Sequence, residues 1–147
     1  MSQSRSHLYE RTIEGFRGGG LGFATMAGAP LISIVDDDAS LRFLLASLIR
    51  SVGFQALSFA SAEAFLSSTQ ARDSRCLIAD VRMPGMNGLE LQRHIVAANW
   101  RLPIIFITSY VDDDARAAAL EAGAAGFLYK PFRDVDLLGT METALRA

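Results

Sequence analysis

Five short apolar runs, at residues 31–35, 54–59, 76–79, 104–107 and 126–129, alternate with segments whose apolar positions recur at helical spacing. After the first run, Leu41, Leu44, Leu45, Leu48 and Ile49 form one apolar stripe, which predicts an amphipathic helix ending near Gly53. Ser61 opens a short second helix, in which Glu63 lies too early for a full capping box. Leu89, Leu91, Ile95 and Val96 carry a third helix after the turn Pro84-Gly85-Met86-Asn87-Gly88. A fourth runs over 112–122 and stops at Gly123, and a fifth starts near Asp134. Strands of about five residues that are apolar throughout belong to parallel sheets covered on both faces. Five βα units joined by right-handed crossovers, with helices on both faces, predict a (βα)5 doubly wound sheet of order 2-1-3-4-5.

Four of the five runs end in a residue able to handle a phosphoryl group: Asp36-Asp37-Asp38, Asp80, Thr108 and Lys130. Open parallel sheets bind ligands just beyond the carboxyl ends of their strands, at the point where the winding reverses. In the predicted order that point lies between the first and third strands, so Asp36, Asp37 and Asp80 flank one crevice, with Thr108 and Lys130 nearby. Carboxylates at about 5 Å repel by roughly 1 to 4 kcal/mol per pair, and a hard divalent cation offsets this. Mg²⁺ suits the pocket because it commonly takes one or two carboxylates, waters and a substrate phosphate. With that charge neutralised, one carboxylate can act as nucleophile toward phosphorus, while an amine and a hydroxyl hold the phosphoryl oxygens. Lys130 is the sole lysine among fourteen basic residues, which sharpens its claim to a role.

Composition narrows the classes. A chain of 147 residues is the size of one domain, and 50% apolar content with a net charge of −2 favours neither disorder nor a nucleic-acid footprint. Direct nucleic-acid binding is not expected. Cys76, the single cysteine, has no internal disulfide partner, and no apolar stretch approaches the roughly 20 residues of a membrane span. A cytoplasmic setting without membrane attachment is the expectation. Residues 1–30 contain Gly18-Gly19-Gly20, Gly22 and Gly28 and read as a flexible leader, with the folded domain over 31–147.

From residue 31 onward, about four fifths of the chain, the sequence closely resembles the receiver domain of two-component response regulators. The resemblance rests on Ile34-Val35-Asp36-Asp37-Asp38, on 80–88 (Asp-Val-Arg-Met-Pro-Gly-Met-Asn-Gly), on Ile107-Thr108-Ser109, and on Ala122-Gly123-Ala124 leading to Lys130-Pro131-Phe132. It implies that Asp80 accepts phosphate from a sensor histidine kinase or phosphotransfer protein. Asp37, Asp80 and the backbone carbonyl of Arg82 would ligate Mg²⁺, with Asp36 acting mainly through water. Lys130 would pair with the phosphoryl group across a cis Lys130-Pro131 bond that aims its amine into the pocket. Thr108 would swing its hydroxyl onto the phosphate while Phe127 turns inward, reshaping the face of the fourth helix, fifth strand and fifth helix for a downstream protein or a second copy. Ser61 to Leu66 and Lys130-Pro131-Phe132 place the resemblance nearest FixJ-like receivers, which usually carry a DNA-binding output domain; none is expected within these residues. Arg82 and Tyr110, two residues beyond Asp80 and Thr108, are placed to control access of water to the phosphate.

Plainer roles compete with these. Asp38 suits a helix cap, and so does the cluster Asp112-Asp113-Asp114 at the start of a helix. Phe127 also reads as strand packing, Trp100 as cover for the core edge, and Cys76 as inert; His7 and His94 have no companions at metal-ligand spacing. Two other functions stand beside the phosphoryl switch. An interaction module that works without phosphorylation would leave the acidic triad, Thr108 and Lys130 without a task. A metal-dependent phosphatase would want Asp-x-Asp, whereas Arg82 occupies that second place. The chain is therefore not expected to be an enzyme beyond its own phosphorylation and dephosphorylation.

Overall fold

The computed structural model describes residues 28–146, so residues 1–27 of the expected leader, including His7, lie outside the described residues, whereas at its end Ala29 is buried and the Ala29 and Pro30 carbonyls accept from Gln55. The chain runs β1 (Leu31–Val35), α1 (Ala39–Ser51), β2 (Gln55–Phe59), α2 (Ala62–Ser67), a 3-10 turn (Gln70–Asp73), β3 (Cys76–Asp80), α3 (Gly88–Ala97), β4 (Ile104–Thr108), α4 (Asp113–Glu121), β5 (Gly126–Tyr129) and α5 (Asp134–Arg146). The strands form one sheet of order β2-β1-β3-β4-β5 with every neighbouring pair parallel. This is the (βα)5 arrangement expected from the alternation. Only the 3-10 turn falls outside the predicted pattern, because a single turn carries too few residues to show a period.

Strand periodicity sorts the core into two layers. Ile32, Ile34, Ile78, Ile105 and Ile107 meet Leu45 and Ile49 of α1 and Leu137 and Met141 of α5. On the other face Val35, Leu77, Ile104 and Phe106 meet Phe65, Leu91, Ile95, Ala115 and Ala119 from α2, α3 and α4. Each fully buried Leu, Ile or Phe adds about 1.5 to 3 kcal/mol relative to exposure. Trp100 belongs to the second layer, its ring stacked on Phe65 at 5.5 Å between centroids, so it packs as expected. Cys76 is fully buried, and burial pushes its thiol up to about 12, consistent with an inert role.

Two members of the predicted stripes face solvent. Leu44 is 62% exposed and Val96 56% exposed. Each helix packs on the sheet along one side only. In α1 that side is filled by Leu45, Ala46 and Ile49, and in α3 by Leu91, Gln92 and Ile95. Gln92 takes a core position because its amide donates to the Ala119 carbonyl at 3.0 Å, which satisfies a buried polar group between α3 and α4.

Caps fix where the helices begin. Asp38 caps α1 through bonds from the N–H groups of Ser40 and Leu41, and Asp112 caps α4 by accepting from Ala115. Asn87 and Glu90 form a reciprocal capping box on α3. Gly88, the first residue of that helix, sits so close to the Asp80 carbonyl and Val81 Cα that any side chain would displace one of them. We expect Gly88→Ala to lower stability by about 1 to 3 kcal/mol in urea unfolding; an unchanged midpoint would show that this contact is not tight.

Candidate functional site at the strand ends

Parallel register brings the carboxyl ends of the strands level. Val35 pairs with Ala79, Asp80 with Ile107, and Thr108 with Tyr129, so the residues at or just after those positions share one rim. Asp36, Asp37 and Asp80 each offer an oxygen, and the three oxygens lie within 4.8 Å of one another. Asp36 is fully buried, Asp80 nearly so, and Asp37 opens to solvent. Lys130, just beyond β5, donates from Nζ to Asp36 Oδ2 at 3.0 Å and to Asp80 Oδ2 at 3.3 Å. The sole lysine of the chain thus bridges two buried carboxylates, across a Lys130-Pro131 bond that is cis.

Main-chain groups hold these side chains in place. Asp36 Oδ1 accepts from the Asp38 N–H at 2.8 Å, and the Asp36 carbonyl accepts from Arg42 at 2.7 Å. Asp80 Oδ1 accepts from the Arg82 N–H at 3.2 Å, and the Val81 N–H bonds the Ile107 carbonyl. Thr108 is buried, its Oγ1 accepts from the Tyr110 N–H at 3.1 Å, and its carbonyl accepts from the Lys130 N–H at 2.7 Å. That last bond ties the strand end bearing the hydroxyl to the one bearing the amine.

Two layers of electrostatics meet here. Burial raises the Asp80 pKa, and the neighbouring Asp36 charge raises it further; Lys130 and the Arg82 N–H oppose them without prevailing. Burial also works against the Lys130 ammonium, but its bonds and charge attraction to Asp36 and Asp80 outweigh that and hold its pKa above the ordinary lysine value. Both pKa values rise, which favours the charged form of Lys130 but the neutral form of Asp80, because one amine serves two acids. Lys130 gains from both partners, whereas Asp80 gains one cation and faces one anion. Hard oxygen donors with a surplus of negative charge fit Mg²⁺, for which Asp36, Asp37 and Asp80 are the candidate side chains.

The Arg82 side chain is engaged at the surface. It lies 4.6 Å over the Tyr110 ring and 3.4 Å from Asp112 Oδ2, bridging the loop after β3 to the loop after β4. Phe127 on β5 is half-buried, 6.1 Å from Phe106 and 5.5 Å from Tyr129 between ring centroids. His94 is exposed on α3 and stands apart from the acidic cluster. Two contacts had no signal in the sequence. Arg42 reaches the Asp36 carbonyl, and Glu63 accepts from the Met86 N–H at 3.0 Å across 23 residues of chain. The first runs from the opening turn of α1 back to the end of β1, and the second joins segments that only the tertiary fold brings together.

The family model for the response regulator receiver domain matches residues 32–142, and the chain belongs to that family. It is 46% identical over 116 residues to the response regulator protein TmoT of Ectopseudomonas mendocina, covering 79% of this chain and 53% of that protein. It is 38% identical over 115 residues to the transcriptional regulatory protein FixJ of Bradyrhizobium diazoefficiens, covering 78% and 56%. The crystal structure of FixJ-N superposes with a TM-score of 0.73 at 36% identity, covering 80% of this chain and 94% of that one. The chain spans about half the length of the curated relatives it matches. The receiver family serves two-component phosphorelay signalling, and among the described residues no helix is long and apolar enough to cross a membrane.

The Asp80 shift carries a prediction. A carboxyl whose pKa is raised by folding binds its proton more tightly in the native state, so its stabilising contribution is complete below the unfolded value and is lost as pH rises through the folded value. At neutral pH, ionised Asp80 therefore costs stability. In metal-free buffer at pH 7, Asp80→Asn is expected to unfold at a higher temperature than the wild type, with the gap closing as pH falls to the ordinary aspartate range. A gap that stays constant between pH 7 and pH 3 would contradict the assignment.

Proposed function

We propose that this chain is a phosphoryl-operated switch in which Asp80 is the acceptor, charged by a sensor histidine kinase or phosphotransfer protein. The observation that carries this reading is the Lys130 amine set between Asp36 and Asp80 at the rim where Thr108 also ends its strand. Asp80 Oδ attacks the phosphorus of a phosphohistidine, the new P–O bond forms as the P–N bond breaks, and the imidazole leaves with a proton from solvent. Asp36, Asp37 and Asp80, together with the Arg82 carbonyl, would hold Mg²⁺, which when bound supplies positive charge to the phosphoryl oxygens.

The chain's own groups account for the rest of the cycle. On phosphorylation Lys130 keeps its ion pair by taking a phosphoryl oxygen in place of the carboxylate oxygen it now holds. Thr108 exchanges the Tyr110 N–H for the phosphate, which draws the loop after β4 toward the site. Phe127 follows by moving inward beside Phe106. The face formed by α4, β5 and α5 then presents a changed surface to a downstream protein or a second copy, with Tyr110 and Val111 already exposed at its edge. Turnover is confined to the chain's own phosphate, since the place two residues beyond Asp80 holds Arg82, whose side chain is engaged by Tyr110 and Asp112.

Incubation with acetyl phosphate and Mg²⁺ tests this by intact mass. The wild type should gain one phosphate and Asp80→Asn none; no Asp80-dependent adduct would favour an interaction module that works without phosphorylation. Arg82 stacked on Tyr110 should also screen the attacking water. The double substitution Arg82→Ala with Tyr110→Ala is then expected to shorten the lifetime of the adduct, and an unchanged decay would remove that role.

A further inference from the structure

The loop from Arg82 to Asn87 is anchored at each end by the fold. At its start the Val81 N–H bonds the Ile107 carbonyl, and at its close the Gly88 N–H bonds the Val81 carbonyl while Asn87 caps α3. Between these anchors, the Met86 N–H donates to Glu63 Oε2 at 3.0 Å. Glu63 comes from α2, a separate element whose N-cap Ser61 is satisfied by its own bond from Ala64. Ser61 already serves that cap, so Glu63 is free to reach the loop with its carboxylate, which also faces its own N–H.

Gly85 makes this contact feasible. Its φ is +73°, and a Cβ there would sit 2.8 Å from Glu63 Oε2, so a side chain at this position would push the carboxylate off the loop. The Met86 bond is also the largest cause that holds the Glu63 carboxyl below the ordinary glutamate range, so the carboxyl is an ionised acceptor at neutral pH. A charged acceptor on a main-chain N–H is a stronger tether than a neutral one.

We propose that Glu63 is a positioning residue for the acidic site: from α2 it holds the loop that follows Asp80 in the shape that presents the Arg82 carbonyl to the divalent cation. This rests on the metal assignment made above. Groups that touch no ligand but orient those that do commonly control metal affinity. Glu63 acts here through the five loop residues from Met86 back to Arg82. The alternative is that its charge merely favours the positive end of α2.

Glutamine separates the two, since it keeps an acceptor oxygen and loses the charge. Mg²⁺ binding to the full chain, measured by titration calorimetry, is expected to weaken roughly three- to tenfold in Glu63→Ala, the ratio that follows from losing one hydrogen bond. Glu63→Gln, which keeps a neutral and weaker acceptor, should bind more tightly than Glu63→Ala and less tightly than the wild type. Exchange of the Met86 amide with deuterated solvent should speed up in Glu63→Ala alone, and melting curves confirm that both variants are folded. The proposal is overturned if Glu63→Ala binds Mg²⁺ as the wild type does, if Glu63→Gln is as weak as Glu63→Ala, or if the wild type binds no Mg²⁺. A wild type that binds Mg²⁺ yet forms no Asp80 adduct would instead overturn the phosphoryl switch, and the calorimetric comparison would still decide the role of Glu63.

Discussion

One amine between two buried acids organises the working end of this molecule. Asp36 and Asp80 stand on neighbouring strands at the centre of the sheet, where burial makes each negative charge expensive and their proximity makes the pair more so. Lys130 reaches both from the far side of β4. Its bonds stabilise the acids and in turn hold its own charge. The arrangement remains under-compensated, because one positive charge faces two buried negatives and a third at the rim. That residual negative charge is what the divalent cation of the proposed switch would balance.

The sheet order makes this convergence possible. Winding reverses between β1 and β3, so the turns leaving these two strands go to opposite faces and leave an opening between them. The strands that flank it are apolar up to their carboxyl ends apart from Ser33, whose hydroxyl pairs with that of Ser74, and their parallel register, Val35 beside Ala79, sets Asp36 and Asp80 side by side at the rim. Thr108 and Lys130 arrive by the same rule from β4 and β5. The main-chain bond from Lys130 to the Thr108 carbonyl keeps amine and hydroxyl on adjacent strand ends. In the proposed switch, a charge change at Asp80 acts on the loop after β3, which follows it directly, and on the loop after β4, which follows Thr108. The stacked Arg82 and Tyr110 side chains connect those loops at the surface.

Most of this was legible in the chain. Five apolar runs gave the strands, and polar residues of matching chemistry at their ends gave the site, since a parallel sheet gathers strand ends without further information. Side-chain exposure was less legible. Leu44 and Val96 belong to their stripes by spacing, yet a helix that rests on one sheet buries a narrower face than its apolar residues could fill. Gln92 takes a core place through a partner on another helix. The contact from Glu63 to the Met86 N–H was not legible, because no local pattern marks a side chain that serves a distant main-chain group, and the Arg42 bond to the Asp36 carbonyl, though only six residues away, follows no capping or spacing rule.

The central claim is that Lys130 and a divalent cation share one task, balancing the charge of Asp36 and Asp80. Unfolding of Lys130→Met, measured in urea with a chelator and again with saturating Mg²⁺, tests it most directly. The account predicts a loss on the order of 3 kcal/mol in chelator, as expected when a buried charge loses its partner, with most of it recovered in Mg²⁺. Equal stability of wild type and variant in chelator, or a loss that Mg²⁺ leaves untouched, would contradict it.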